Sequence, residues 1–161
     1  MTNPVYDKLR NCYDSIKDKI PFEPKVALVL GSGLGDYAEQ LEIQGTIDYH
    51  DIEGFPVSTV PGHKGRFVFA RINEVPAVLM QGRVHYYEGY PMSDVVLPVR
   101  LMKLMGAEIL FLTNAAGGVN YDYGAGDFML IKDRILLCPL PAGGAEPGGA
   151  GTKVPGYEPY I

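Results

Sequence analysis

The sequence has few of the features that mark membrane, secreted or metal-binding proteins. It contains two cysteines among 161 residues, Cys12 and Cys138, and their surroundings show no metal-ligand spacing. No apolar run approaches the roughly 20 residues that a membrane-spanning helix needs. The first segment, MTNPVYDKLRN, has no apolar signal core. We therefore expect a protein of the reducing cytoplasm, with no membrane partner.

Positive charge is also scarce. Lysine and arginine number 14 against 19 acidic residues, which gives a formal net charge of −5. Because nucleic-acid-binding domains usually present a basic face, this balance argues against a nucleic-acid partner. What the chain does have is 47% hydrophobic and 20% charged residues, an ordinary balance for a globular protein. Its length suffices for one modest domain with a real core.

Segments typical of strands and of helices alternate along most of the chain. Periodicity and apolar runs predict strands over 26–30, 46–50, 66–72, 75–81, 109–113 and 128–131. Residues 66–72 and 75–81 are expected to form a hairpin across Asn73-Glu74, and 26–30 and 109–113 to be buried. Helices are predicted over 3–20, 34–41 and 93–105. This interleaving predicts an α/β fold with a mixed sheet.

The composition changes after residue 135. The remaining segment, LLCPLPAGGAEPGGAGTKVPGYEPYI, is dominated by proline and glycine and has no periodicity. We therefore expect one domain over 1–135 and an irregular tail over 136–161.

A glycine-rich loop, Gly31-Ser32-Gly33-Leu34-Gly35, follows the first predicted strand. Glycines there let the backbone turn tightly and aim N–H groups at an anion, with the Ser32 hydroxyl as an extra donor. The dinucleotide fingerprint does not fit, because Asp36 stands where its third glycine is required, and the Walker loop does not fit, because its lysine is missing. A phosphate nest remains, and a plain strand-to-helix turn is the alternative.

Three further segments carry polar or small residues at strand ends. In PGHKGRF, His63 lies between glycines and is either a ligand-binding or a solvated loop residue. In QGRVHYYEGY, Arg83, His85 and Tyr87 alternate, so an extended chain would point all three to one side. They offer a guanidinium fork, a proton carrier and a flat ring, or else simply a polar strand end. TNAAGG forms the second strand-end glycine loop, which suits a ligand or tight packing.

Taken together, these motifs resemble a known family. GSGLG, PGHKGRFVFA, MQGRVHYYEGYP and TNAAGGVN, in this order and spacing, closely resemble the trimeric purine nucleoside phosphorylases, from about Val26 to Asp133. The resemblance implies a phosphorylase/hydrolase-like three-layer α/β fold with a mixed central sheet, of which this chain is the N-terminal portion. It implies a homotrimer for the family. It also implies phosphorolysis of nucleosides such as inosine and guanosine to a free purine and (deoxy)ribose 1-phosphate, with inorganic phosphate as co-substrate and no metal or other cofactor.

The resemblance also assigns residues. It implies that Ser32, His63, Arg83, His85 and the backbone at Ala115 hold phosphate, that His85 is in addition the catalytic residue, and that Tyr87 contacts the ribose. Family members are considerably longer, and their second half supplies a glutamate and an asparagine for the purine and a histidine near the ribose. Since none of these has a counterpart here, we expect little or no phosphorolysis by this chain alone.

The tail suggests a hypothesis about its origin. The codons for Lys153 to Tyr160, read one base later, permit Arg-Phe-Pro-Asp-Met-Ser-His, which is close to the RFPDMS segment of the family. A shift of the reading frame near Ile135 would explain this, and DNA sequencing would decide it.

Two other functions stay open: a related methylthioadenosine phosphorylase, and a non-catalytic module that binds phosphate or a nucleotide.

Overall fold

A computed structural model describes residues 3–31, 33–57 and 64–133, and the chain divides into two units, 1–124 and 125–161. The first unit contains a five-stranded sheet with the order β2-β3-β4-β1-β5. Its strands are β1 (Val26–Val29), β2 (Ile43–Asp48), β3 (Arg66–Ile72), β4 (Val75–Gln81) and β5 (Ile109–Leu112). Its helices are α1 (Pro4–Ile16), α2 (Met92–Val95) and α3 (Leu97–Leu104), with short 3₁₀ helices at Lys17–Lys19, Gly35–Gln40, Tyr49–Asp51 and Tyr86–Glu88.

The sheet is mixed, as the sequence predicts. β1 runs parallel to both of its neighbours, β4 and β5, whereas β2, β3 and β4 are antiparallel to one another in turn. The β3–β4 connection has positive φ angles at Asn73 (46°) and Glu74 (68°). Two consecutive left-handed residues are the mark of the type I′ turn, whose twist matches that of the strands. The expected α/β class and the expected hairpin are both confirmed.

Helix α1 has an N-terminal cap and a buried apolar face, both of which follow from its sequence. The Asn3 side chain accepts hydrogen bonds from the N–H groups of Val5 and Tyr6 at 3.1 and 3.4 Å, and Pro4 occupies the first turn, where no N–H is needed. Apolar side chains at helical spacing, among them Cys12 and Ile16, are fully buried against the sheet. Every helix in the described part of the chain is too short or too polar to cross a membrane.

Alternating side chains of the central strands β3 and β4 pack into two separate hydrophobic cores, one on each face of the sheet. Phe67, Phe69 and Met80 point to the core under α1 and α3, while Val68 and Leu79 point to a smaller core that also contains Ala38, in the 3₁₀ helix Gly35–Gln40. The central strands β3 and β4 are therefore covered on both faces, in a three-layer arrangement.

Several sequence predictions need correction. The helix expected over 93–105 is interrupted at Val96, and Pro98 lies in the first turn of α3, where a proline is tolerated. The helix expected over 34–41 is present as the shorter 3₁₀ helix Gly35–Gln40. β5 exists, but all four of its residues are exposed, so the expectation that it is buried is wrong.

The strand expected over 128–131 is also wrong, because residues 125–133 have no strand or helix and are all exposed. A short apolar run predicts a strand only if a neighbouring strand is there to accept its hydrogen bonds, and a sequence pattern carries no information about that. The tail expected over 136–161, with its boundary at 135, lies outside the described residues and stays a prediction.

Candidate functional site

Three strand ends that carry the sequence motifs lie at one edge of the sheet. Because β4, β1 and β5 are parallel neighbours, their carboxyl ends lead into Gly82-Arg83, Leu30-Gly31 and Thr113-Asn114 on the same side. The chain leaves β1 toward one half of the sheet and returns to its other side in β5. Ligands of open α/β sheets bind at such switch points, outside the carboxyl ends of the strands.

A cavity of about 240 Å³ opens at this edge, beside the ends of β1 and β4. This volume is below the roughly 300–1,000 Å³ of sites that enclose a drug-sized ligand, so it suits a small ion better than a whole nucleoside. It is lined by Leu30, Gly31, Gly33, Gly35, Asp36, Lys64, Gln81, Gly82, Arg83 and His85. Two permanent cations, an imidazole and glycine backbone give it the composition of an anion site, which the Asp36 carboxylate opposes.

Gly31 joins the ends of β1 and β5. Its N–H donates to Thr113 Oγ1 at 2.8 Å, and that hydroxyl donates to the Val29 carbonyl at 2.9 Å. A Cβ at position 31 would lie 2.6 Å from the Thr113 carbonyl oxygen, so only glycine fits here. The Gly31 N–H is therefore used within the protein, and the expected nest depends on the rest of the loop, where Gly33 has a φ of 81°.

Arg83 reaches the cavity because the chain turns sharply at Gly82, where φ is 100°. The hydroxyl of Tyr49 donates to the Gly82 carbonyl at 2.8 Å. Tyr49 is fully buried and packs against Phe55 and Phe67, with ring centroids 5.0 Å from each. Burial raises the pKa of its phenol well above the usual value, so Tyr49 stays protonated and remains a donor. The sequence analysis missed this tyrosine, because nothing in its local pattern connects it to a strand end 33 residues away.

His85 is oriented by its own turn. The Glu88 carboxylate accepts the His85 backbone N–H at 2.7 Å and lies 3.0 Å from His85 Nδ1. Since a carboxylate can only accept, this contact places a proton on Nδ1. The pair caps the short helix Tyr86–Glu88 and fixes the imidazole beside the cavity.

Tyr87 does not follow the expected alternation. Residues 86–88 form a 3₁₀ helix and not an extended strand, so Tyr87 is 76% exposed and its ring stacks on His85, with centroids 4.8 Å apart. The expectation that Arg83, His85 and Tyr87 share one side of an extended chain is therefore wrong for Tyr87. Its ring lies next to a cavity residue without lining the cavity itself.

A polar network connects the two walls of the cavity. The Gln81 amide donates to the Gly35 carbonyl at 2.7 Å and to Glu39 Oε1 at 3.0 Å, and its oxygen accepts from Arg66 Nε at 2.8 Å. Glu39 Oε1 also accepts from Arg66 Nη2 and Lys64 Nζ, both at 2.7 Å. Gln81 is 3% exposed and satisfied at both ends, so it holds the glycine loop against the end of β4.

The sequence analysis did not single out this network. Arg66 and Gln81 are opposite each other in the β3–β4 ladder, so the predicted hairpin register could have found that pair. Glu39 could not have been found in this way, because it comes from the 3₁₀ helix on the other side of the glycine loop.

The outcome for the predicted phosphate residues is mixed. Arg83 and His85 line one cavity together with the glycine loop. Ala115 lies beyond the end of β5, exposed, and is not among the lining residues. Ser32 and His63 lie outside the described residues, although their neighbours Gly31, Gly33 and Lys64 line the cavity. The phosphate-binding and catalytic roles assigned to these residues stay predictions.

Fold and site together define a class: an α/β protein with a small, cation-bearing cavity at the switch point of its sheet. The model of the phosphorylase superfamily matches residues 25–158, which is most of the chain, and the chain belongs to that superfamily.

Individual relatives agree. The chain is 49% identical to purine nucleoside phosphorylase 1 of Bacillus subtilis over 129 residues, covering 80% of this chain and 48% of the relative. It is 53% identical to the purine nucleoside phosphorylase of Bos taurus over 114 residues, covering 71% and 39%. It also resembles the solved isoform 2 of the Schistosoma mansoni enzyme in complex with cytosine and ribose 1-phosphate, with a TM-score of 0.68, 40% identity and coverage of 76% and 43%. The chain thus spans less than half the length of these relatives.

Proposed function

We propose that this chain forms the phosphate-binding part of a purine nucleoside phosphorylase site. The observation that carries the proposal is that Arg83, His85 and the glycine loop after β1 line the same cavity. The relatives support the choice of reaction: two are named purine nucleoside phosphorylases, and the solved one holds ribose 1-phosphate, which contains the phosphate group that such a cavity would bind.

The reaction explains why donors must converge. A phosphate oxygen forms a bond to the anomeric carbon of the nucleoside while the carbon–nitrogen bond to the purine breaks, and the purine keeps the electron pair and takes up a proton. Because the transition state has oxocarbenium character, phosphate must be held at the ring without losing its negative charge. Several fixed donors around one anion achieve this, and a bound phosphate reacts as an intramolecular partner would.

Individual residues have distinct parts in this proposal. Arg83 offers a planar fork for two phosphate oxygens, and its position depends on the Tyr49 bond to Gly82. His85, held by Glu88 at Nδ1, donates to phosphate through Nε2 when its ring carries both protons, and it is the proposed catalytic residue. Tyr87, stacked on His85, remains the proposed ribose contact. Ser32, His63 and the Ala115 backbone complete the proposed phosphate set.

Other parts of the proposal come from the family resemblance. A homotrimer, a cytoplasmic location and the absence of any cofactor besides the co-substrate phosphate stay predictions. We further expect the purine contacts to come from the part of the relatives that this chain does not match, so the chain alone should show little or no phosphorolysis.

Calorimetric titration with inorganic phosphate tests the phosphate site. We expect Arg83→Ala to weaken binding by at least about tenfold, since a charge-assisted pair of hydrogen bonds is lost. Arg100→Ala is the matched control. Arg100 is exposed on α3 and does not line the cavity, so its substitution removes the same charge at a distance from the site. Equal phosphate affinity in the Arg83 variant and the unmodified chain would refute the site.

An inosine phosphorolysis assay tests the expected inactivity of the isolated chain. We expect no turnover above background at saturating phosphate, because loss of contacts to a leaving group costs about two to three powers of ten per donor. Ordinary turnover would show that the purine contacts lie within these 161 residues.

A further inference from the structure

Lys64 lies at the cavity but bonds elsewhere. It is one of the lining residues, and its ammonium donates to Glu39 Oε1 at 2.7 Å. The side chain is 47% exposed. An ion pair this exposed adds little to stability, since water solvates both charges well. Lys64 can therefore leave Glu39 at little cost.

Glu39 does not depend on Lys64 alone. Its Oε1 also accepts hydrogen bonds from Arg66 Nη2 at 2.7 Å and from Gln81 Nε2 at 3.0 Å. If Lys64 turned away, the carboxylate would keep a cation and an amide donor. Its negative charge would remain compensated.

Arg66 differs from Lys64 in this respect. Its guanidinium is held at two points, with Nε donating to Gln81 and Nη2 to Glu39, and its side chain is only 21% exposed. Lys64 has a flexible four-carbon stem and donates one side-chain hydrogen bond within the described part of the chain. Of the two cations on Glu39, Lys64 is the one that can change partner.

We propose that Lys64 is an additional phosphate-binding residue, which exchanges its bond to Glu39 for one to an anion in the cavity. The proposal rests on the proposed function of the site and extends its residue set by one cation. A further cation would offset the Asp36 carboxylate, which lines the same cavity and repels an anion. A phosphate dianion attracts an ammonium more strongly than the shared Glu39 carboxylate does.

The test is phosphate titration by calorimetry, with the full chain. We expect Lys64→Gln to raise the Kd for phosphate about 3- to 10-fold, the size of one charge contact near 4 Å in a water-rich site. Lys64→Arg should restore most of the affinity, because it returns the positive charge. The dependence of Kd on salt should become shallower in Lys64→Gln and not in Lys64→Arg.

Lys19→Gln is the matched control. Lys19 is 51% exposed and pairs with Asp51 at 3.5 Å, so Lys19→Gln removes the same charge and the same kind of ion pair away from the cavity. The Kd of this variant for phosphate should equal that of the unmodified chain. Thermal denaturation should show that neither glutamine variant changes the melting temperature appreciably, which excludes misfolding as the cause.

Arg83→Ala separates the two possible failures. If Arg83→Ala weakens phosphate binding and Lys64→Gln binds as tightly as the unmodified chain, the role of Lys64 is refuted and the proposed function stands. If the unmodified chain binds no phosphate, or if neither substitution changes the Kd, the proposed function fails and the role of Lys64 fails with it.

Discussion

The two strands that flank β1 differ in almost everything except their direction. β4 is covered on both faces, and Leu79 and Met80 are buried within it, whereas the four residues of β5 are all exposed. Both strands pair with β1 in parallel and end at the same edge of the sheet. Backbone pairing alone therefore does not determine how firmly a strand end is held.

The loops after these strands differ in the same way. The loop after β4 is tied down by Tyr49 at the Gly82 carbonyl and by Glu88 at His85, and Gln81 links its base to the glycine loop. The loop after β5 is joined to β1 through Thr113, and from Asn114 onward its residues are exposed. Arg83 and His85 line the cavity and Ala115 does not, so the anchored loop is the one that supplies its donors.

The largest expected difference is in the free energy of unfolding. Met80 in β4 and Leu112 in β5 both lie opposite Val29 in the ladder, but Met80 is 1% and Leu112 54% exposed. We expect Met80→Ala to cost about 2–5 kcal/mol through lost burial and a cavity, and Leu112→Ala to cost about 1 kcal/mol or less. Urea denaturation measures both, and equal costs would contradict the contrast between the strands.

A second difference concerns the contact between β1 and β5. Gly31→Ala places a methyl group 2.6 Å from the Thr113 carbonyl oxygen, so the backbone must shift. We expect a loss of about 1–3 kcal/mol, typical of overpacking. Gly35→Ala is the control, since a Cβ there meets no atom within 4 Å and φ is not positive. Thermal denaturation should separate the two variants, and similar melting temperatures would mean that the end of β5 yields easily.

The same contrast explains how far the sequence could predict the structure. The β3–β4 hairpin was predictable because alternation of apolar residues and the Asn73-Glu74 turn are local signals. The strand at 109–112 was predictable too, but its exposure was not, because an apolar run predicts burial without showing what would cover it. The strand expected over 128–131 failed for a related reason, since a strand needs a partner that the pattern does not name.

The site divides along the same line. The glycine loop after β1, Arg83 and His85 were predictable from their places after predicted strands. Tyr49 and Glu39 were not, and neither were the Gln81 contacts to Gly35 and Glu39, because these contacts join residues distant in sequence. Local patterns predict the residues that could touch a ligand, and tertiary contacts decide which of them are held in place.

A smaller effect is expected from removing the hydrogen bond between Tyr49 and the loop after β4. Tyr49→Phe keeps the packing against Phe55 and Phe67 but leaves the Gly82 carbonyl without its donor. We expect a loss of about 0.5–1.5 kcal/mol in unfolding free energy, the net contribution of one hydrogen bond, and weaker phosphate binding. Tyr6→Phe is the control, because Tyr6 is exposed on α1. Phosphate binding at full strength in Tyr49→Phe would show that Arg83 is positioned without this bond.

The smallest effect should appear only in acid. The hydrogen bond from Lys64, with that from Gln81, lowers the pKa of Glu39 from 4.5 to about 2. Because the folded-state pKa lies below the unfolded one, the ionised carboxylate stabilises the fold above about pH 4.5, and this contribution is lost as the pH falls toward 2. The stability difference between the unmodified chain and Glu39→Gln should shrink over that range, as measured by urea denaturation at each pH. Glu42→Gln, at an exposed position next to β2, removes the same charge as a control. A difference that is constant between pH 5 and 2.5 would mean that the Glu39 charge adds nothing to the connection between the glycine loop and β4.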